Sequence, residues 1–384
     1  MPDIVVVGGG PAGSISASLL AKSHDVTVLE DHPVSGTPLQ CTGLVSPDVI
    51  SMSGLNPTVL NSFSRLNVHF PDYSVYSVDC GDTKAVLMDR SEFDRLAAEK
   101  AMDAGAEFVY SDRCISCDVG RDHVRSVTTS GKRYLSKIVI GADGHSSIIR
   151  DIVCSEPPRM VVRGIQMDLS HSCDDQSAID IWLGSDVAPG FFAWSIPYGD
   201  ITRVGLCSEW SFGPPMDFMP TLLRRTGLSD AKVISKASGK IPIGIQSKTY
   251  SNRALLIGDS AGQVKPISGG GLYPMLASVP CLVQVVNDAF SRDDFSAGFL
   301  SRYQKSWKKA IGRELKNGFR LRSMYNNIYD DELNRIRRIV DRPSIKELAS
   351  NATIDNPSAM VLKALKNVPM TLRLMPYLFK GLFR

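Results

Sequence analysis

Three glycine turns and one cysteine hold most of the chemistry open to this chain. The first turn is Gly8-Gly9-Gly10-Pro11-Ala12-Gly13-Ser14, preceded by Ile4-Val5-Val6-Val7. Gly8 permits a tight turn, Gly10 lets the backbone approach a pyrophosphate, and Gly13 lets the following helix pack on the strand. Free N–H groups at that helix start meet phosphate charge. Glu30 ends a second apolar run, Val26-Thr27-Val28-Leu29, where a carboxylate accepts from ribose hydroxyls. Strand, glycine turn, helix start and distant acid together spell a dinucleotide site. The second turn is Gly141-Ala142-Asp143-Gly144, after Ile138-Val139-Ile140 and before Ser146, Ser147 and Arg150. The third runs from Gly258-Asp259 through Pro266 to Gly269-Gly270-Gly271-Leu272 and reads as a loop entering a helix. Cys41 stands in Leu39-Gln40-Cys41-Thr42-Gly43-Leu44, after the second strand.

The elements that must hold these groups are legible in outline. Strands are expected at Ile4 to Val7, Val26 to Leu29, Val68 to Phe70, Val75 to Val78, Ala85 to Met88, Glu107 to Tyr110, Ile138 to Ile140 and Leu255 to Ile257. Phe93, Leu96, Ala97 and Ala101 have helical spacing between Ser91 and Ala104, and Gly105 stops that helix. Cys114 to Val119, Val124 to Thr129 and Arg133 to Leu135 read as a meander. Residues 1–65, 85–155 and 249–290 are expected to form a discontinuous dinucleotide-binding domain. Residues 66–84 and 156–248, rich in strand signals, form a second domain on an antiparallel sheet. Residues 291–384 are helical and basic. Within the second domain Phe192, Trp194 and Ile196 share one strand face. That face is either an ordinary core or the wall of an apolar cavity.

Composition excludes several classes. A chain of 384 residues with 43% hydrophobic and 22% charged residues is an ordinary globular protein of two or three domains. A net charge of +3 is too small to argue for nucleic acid. No apolar run is long enough to span a bilayer. The first strand begins almost at residue 1 and leaves no room for a signal peptide, so a cytoplasmic location is expected. The eight cysteines are scattered, unlike a disulfide framework. Cys114 and Cys117 have metal-ligand spacing, but no second pair matches, and in a regular strand the two side chains face opposite sides. No metal is expected.

The three turns, with Arg90 in Met88-Asp89-Arg90-Ser91-Glu92-Phe93-Asp94, resemble the FAD proteins of the p-hydroxybenzoate hydroxylase fold. Pro189-Gly190-Phe191-Phe192-Ala193-Trp194-Ser195-Ile196-Pro197 resembles the Pro-x-x-Tyr-x-Trp-x-Phe-Pro signature of the geranylgeranyl reductase family, with Phe192 and Ile196 as departures. The segment Leu39 to Ser46 matches where that family carries a cysteine near the flavin ring. The resemblance covers motifs from residue 4 to about 275. It implies an α/β fold: a Rossmann-type FAD-binding domain with a β-meander, an α+β substrate domain and C-terminal helices. It implies non-covalent FAD, with contacts drawn from Gly8, Gly10, Pro11, Ala12, Gly13, Glu30, Gln40, Cys41, Gly43, Arg90, Cys114, Asp143, Gly258, Asp259, Gly270, Gly271 and Leu272. The Cys114 contact runs through backbone. Phe192, Trp194 and Ile196 would line a prenyl cavity, and Cys41 is the candidate catalytic residue. The implied reaction is saturation of C=C bonds in geranylgeranyl chains of archaeal-type glycerophospholipids. A reducing partner is required, whether ferredoxin, a deazaflavin or NADPH.

Two other flavin chemistries share the fold. Phe192-Ala193-Trp194-Ser195-Ile196-Pro197 comes within one residue of the Trp-x-Trp-x-Ile-Pro of flavin-dependent halogenases. Halogenation needs a lysine before the first cap strands, and none occurs between Asp31 and Leu66. An aromatic-ring monooxygenase would need a nicotinamide site, which is not visible. A non-enzymatic flavin-binding adaptor fits poorly with a flavin beside an apolar wall. Finally, Pro357 to Arg384 contains no acid and carries Lys363, Lys366, Arg373, Lys380 and Arg384 among Met, Leu, Tyr and Phe. Pro369 and Pro376 break it into short pieces. It reads as a peripheral membrane contact or as a lid on the substrate domain.

Overall fold

Strand Ile4–Val7 is central to a six-stranded sheet. Its neighbours are Val26–Leu29 and Ile138–Gly141, both parallel to it, with Glu107–Val109 and Ala254–Leu256 outside them. The short strand Tyr250–Ser251 closes one edge in antiparallel fashion. Every residue of the three inner strands is buried. This is why they read as continuous apolar runs, as strands covered on both faces do. Ile4 and Val6 pack into a helical layer with Leu20, Ala97 and Leu282, while Val5 and Val7 pack against the meander with Cys114 and Val124. The computed structural model describes residues 1–367.

The first helix, Pro11–Leu20, buries Ser14, Ser16 and Ser18 against the sheet. Their hydroxyls donate to the backbone carbonyls of Gly9, Ala12 and Ile15 at 2.8, 2.6 and 2.9 Å, so no buried polar group is stranded. The second large sheet has seven strands, in the order Val233–Ile243, Met160–Ser170, Ile201–Glu209, Ala193–Tyr198, Ala178–Trp182, Arg65–His69, Val75–Asp79. All its pairs are antiparallel except Ala178–Trp182 with Arg65–His69.

Some elements lay beyond the sequence pattern. Strands Leu44–Val45 and Val59–Phe63 flank Ala85–Met88 in a small sheet of their own, and helix Pro47–Ser53 lies between them. Helix Met219–Thr226 lies within the stretch read as rich in strand signals. The expectation for Cys114 and Cys117 is corrected. Ile115 is skipped in the pairing, with Cys114 opposite Thr128 and Ser116 opposite Val127. That bulge turns Cys117 to the same apolar layer as Cys114. Burial pushes the two thiols up to about 12 and about 11.

The C-terminal region is helical: Ala297–Trp307, Arg313–Tyr325, Asp330–Val340, Pro343–Ser350 and Pro357–Asn367. No helix among the described residues is long and apolar enough to cross a membrane. Of the basic run from Pro357 to Arg384, residues 368–384 lie outside the described residues, with Arg373, Lys380 and Arg384 among them.

Candidate functional site

The three glycine turns meet along the carboxyl-terminal edge of the parallel sheet, where its inner strands end. A Cβ on Gly13 would stand 1.9 Å from the Gly8 carbonyl oxygen, so helix and strand touch only because residue 13 is glycine. A Cβ on Gly258 would stand 2.9 Å from that of Ala12, which brings the third turn onto the start of the first helix. Asp259 lies beside Gly271, its Oδ1 3.0 Å from where a Cβ would be, and Gly271 caps the helix Leu272–Arg292. Pro11 opens the first helix with Gly10 as its cap. Neither Gly10 nor Gly271 offers a side chain to its helix, so both N-termini present bare N–H groups. A Cβ on Gly10 would meet nothing within 4 Å.

Glu30 sits at one end of this edge. Its Oε2 accepts from the Gly9 N–H at 2.6 Å, and its Oε1 accepts from the His32 N–H at 2.9 Å. Burial, and Asp31 beside it, raise the Glu30 pKa, which the hydrogen bonds from His32 and Gly9 partly reverse. At the other end, nothing among the described residues donates a hydrogen bond to the partly buried Asp259 carboxylate. Burial pushes it up to about 6, against the pull of Arg90. An open cradle at Gly10, two bare helix starts, an acid at the ribose end and an unpartnered buried acid form a donor and acceptor set that fits FAD. Asp143 stands in the second turn. Its Oδ1 accepts from the Ser147 hydroxyl at 2.5 Å, and its Oδ2 accepts from the N–H of Ile148 at 2.8 Å. Its carboxylate braces its own turn.

The Asp259 shift has a testable consequence for flavin-free protein. The ordinary value is 3.8, so between pH about 4 and about 6 the folded state keeps a proton that the unfolded chain releases. Stability contributed by this group is full below about pH 4 and falls as pH rises, by roughly 3 kcal/mol in all. Urea midpoints of wild type and Asp259→Asn at both ends of that window will read this. The wild type should lose more stability with rising pH than the variant does, and parallel behaviour would refute the assignment.

Arg90 begins the helix Arg90–Asp103, with Asp89 as its cap. Its Nη2 donates to both Asp94 oxygens, at 2.6 and 2.7 Å, and the Cys41 thiol is a further neighbour. Gly43 has φ +83°, and a Cβ there would stand 2.5 Å from the Met88 carbonyl oxygen. Cys41 is partly buried and Gln40 is exposed, with its backbone oxygen close to Gly239 of the large sheet. Leu272 is nearly buried, and Gly270 lies against the Lys265 side chain.

Sequence reasoning missed the groups that grip the Cys41 loop. Gln166 donates through Nε2 to the Cys41 carbonyl at 3.3 Å and accepts from the Thr42 hydroxyl at 2.9 Å. Arg203 donates to the Thr42 carbonyl at 2.5 Å while Asp168 holds it through two bonds of 2.7 and 3.1 Å. The available signal was polar residues at strand positions whose neighbours in the alternation face the core, as Gln166 does after Val162 and Gly164. Lys265 was also missed. Its Nζ pairs with buried Asp355 at 2.8 Å and ties the third turn to the C-terminal helices.

Trp194 and Ile196 lie on the face of the large sheet turned toward the Cys41 loop, in one cluster with Phe63, Leu87 and Val264, and Leu44 packs against it. Phe192 joins this cluster, and its ring meets the Trp194 indole edge-on at 6.1 Å. Alternate residues face away: Ala193 packs with Met167 and Leu206 on the far side. Gly205, opposite Trp194, makes room for the indole, since a Cβ there would stand 2.4 Å from it. The indole N–H is buried and has no partner among the described residues.

A family model described as an FAD binding domain matches residues 1–273. The digeranylgeranylglycerophospholipid reductase 2 of Methanopyrus kandleri is 30% identical, over 98% of this chain and 99% of that protein. The protein of the same name from Methanothermobacter thermautotrophicus is 28% identical, over 97% of this chain and 98% of that one. Among solved structures, a geranylgeranyl bacteriochlorophyll reductase-like protein of Thermoplasma acidophilum superposes with a TM-score of 0.84 at 20% identity. The match covers 98% of this chain and 99% of that one.

Proposed function

The chain belongs to the geranylgeranyl reductase family of FAD-binding oxidoreductases, and from that membership we propose that it saturates C=C bonds in geranylgeranyl chains of archaeal-type membrane glycerophospholipids. What supports the substrate is the wall of Phe192, Trp194 and Ile196, set on the sheet face that also grips the Cys41 loop. An apolar wall beside a redox edge suits an apolar chain whose double bond must be brought to the flavin. When bound, a reduced flavin supplies an electron pair as hydride to one alkene carbon, and a proton must reach the other. An isolated alkene is a poor hydride acceptor, so the protein's share is positioning and proton supply.

Burying the prenyl chain from water is worth about 0.8 kcal/mol per CH₂. The substrate leaves a bilayer, which is equally apolar, so that gain nearly cancels. Selectivity then rests on wall shape and on the polar end of the lipid. Glu30 and the Gly10 cradle hold the nucleotide end of FAD in this reading, while Asp259, Arg90 and the Leu272 helix start hold the flavin end. Gln166 and Arg203 fix the Cys41 backbone, so its thiol is presented in one place. Incubating dithionite-reduced protein anaerobically with digeranylgeranylglyceryl phosphate and weighing the lipid tests the reading. Products heavier by pairs of hydrogens support it, and unchanged lipid refutes it.

Cys41 carries its own prediction. If the thiol supplies or relays the proton, Cys41→Ala will slow saturation by about 10²- to 10⁴-fold, the usual share of acid–base catalysis. Cys41→Ser, which keeps a donor, will fall between. FAD occupancy and the flavin spectrum should stay constant in both. Full rates in both variants would reduce Cys41 to a small backbone-contact residue.

A further inference from the structure

Exposed apolar side chains stand at both ends of the free edge strand of the large sheet, on the side away from the Cys41 loop. Trp210 (55% exposed) and Phe212 (50%) stand at the Lys240 end of that strand, and Ile234 (53%) and Val233, which shares a groove with Met216, stand at the other. They come from the turn after strand Ile201–Glu209 and from the start of strand Val233–Ile243, the free edge of that sheet. A groove of about 510 Å³ runs between this edge and helix Met219–Thr226, lined by Met167, Met216, Met219 and Leu223. Arg224 and Lys236 stand at its rim. Lys232, Lys236, Lys240 and Arg224 are all exposed, and none forms an ion pair among the described residues. Asp217 and Asp230 are the exposed acids nearby, so cations prevail.

We infer that this face is the one the protein lays on an anionic lipid surface. The inference deepens the proposed function, since it rests on a substrate held in a bilayer. Exposed Trp, Phe, Ile and Met interleaved with cations that have no carboxylate partner among the described residues, Arg163 and Lys240 lying over the Trp210 ring, is the composition of an interfacial contact, in which apolar tips enter the acyl boundary and cations meet head groups. A row of lysines along a free edge strand disfavours pairing with another strand. The same positive charge disfavours the chain's own basic C-terminal run as the occupant. The patch also touches the substrate wall. Phe212 lies against Gly190, where a Cβ would meet its ring at 3.0 Å. Gly190 leads directly into Phe191 and Phe192, whose rings stack at 4.6 Å, and Phe192 leads to Trp194. Gly190 therefore links the exposed Phe212 to the chain segment that carries the wall.

The protein carries its own reporter. Trp182, Trp194 and Trp307 are at most 9% exposed, which leaves Trp210 as the one tryptophan at the surface. Full-length, FAD-loaded protein should be mixed with phosphatidylglycerol vesicles, with phosphatidylcholine vesicles as control, and with brominated lipid in each. With the anionic vesicles, emission should shift to the blue and be quenched by bromine, and both effects should vanish in Trp210→Phe. Lys232→Gln/Lys236→Gln/Lys240→Gln should weaken vesicle binding roughly a hundredfold, at about 1 kcal/mol per cation. Co-sedimentation with no change in emission would place the contact elsewhere, the C-terminal run included, and overturn the inference. So would an emission shift without vesicles, which would mark self-association, or undiminished binding by the triple variant. Saturation of detergent-dispersed lipid separates the two readings. Activity there without vesicle binding sinks only this surface, and vesicle binding without activity sinks only the reductase.

Discussion

Replacing Arg90 with methionine should cost about 3–5 kcal/mol of stability, because it strands the Asp94 carboxylate. The pair is nearly buried, at 10% and 15% side-chain exposure, with Nε 3.1 Å and Nη2 2.6 Å from Asp94 Oδ1. Burial already raises the Asp94 pKa, and only the Arg90 charge and hydrogen bonds pull it back. Domains of this kind have about 5–15 kcal/mol in total, so the single variant should unfold at markedly lower urea. A second variant separates folding from binding. Arg90→Met with Asp94→Leu removes both charges and fills the space, which restores much of the stability. It should still fail to hold FAD, because it lacks the Arg90 cation, whose charge acts on both Cys41 and Asp259, where the proposed function puts the flavin end. Urea midpoint and flavin-to-protein absorbance ratio read the two effects. A double variant that is stable and yellow would remove Arg90 from the cofactor site.

Trp194→Ala should strike activity harder than cofactor binding. The indole is 9% exposed, and its removal leaves a void over Gly205 that costs about 3–5 kcal/mol if the wall does not collapse. In the proposed function the wall faces substrate, so the larger effect is a prenyl chain held loosely, with its double bond off the reacting geometry. An error of about 1 Å in placement can cost a hundredfold in rate. Saturation rate should therefore fall by about that factor at unchanged FAD occupancy. Gly205→Val is the converse test, since its side chain must displace the indole. Equal loss of rate and flavin in Trp194→Ala would make this a folding residue.

The parallel sheet and its turns were legible because both depend on local sequence. Ile4 to Val7 is apolar at every position because both faces are covered, and Gly13 is glycine because nothing else fits against Gly8. The Phe192, Trp194, Ile196 face was legible from the period of two alone. Its partners were not, because strand order in the large sheet is set by long-range pairing. The bulge at Ile115 reversed the facing of Cys117, since one skipped residue flips every side chain after it. The resemblance put Asp143 in the cofactor turn but did not say what its carboxylate bonds. The serine and two N–H groups that occupy it become visible only once the turn is folded. Gln166 and Arg203 lie more than 120 residues from the loop they hold, and no spacing rule joins them to it.

A single turnover tests the central claim most directly. Protein with its flavin reduced by one electron pair is mixed anaerobically, without external reductant, with excess digeranylgeranylglyceryl phosphate. The yellow absorption is followed while samples are weighed by mass spectrometry. The account predicts that yellow colour returns in step with a lipid product heavier by two hydrogens, one bond saturated per flavin oxidised. A flavin that stays reduced while the lipid stays unchanged, or that reoxidises with no hydrogen gained by the lipid, would contradict it.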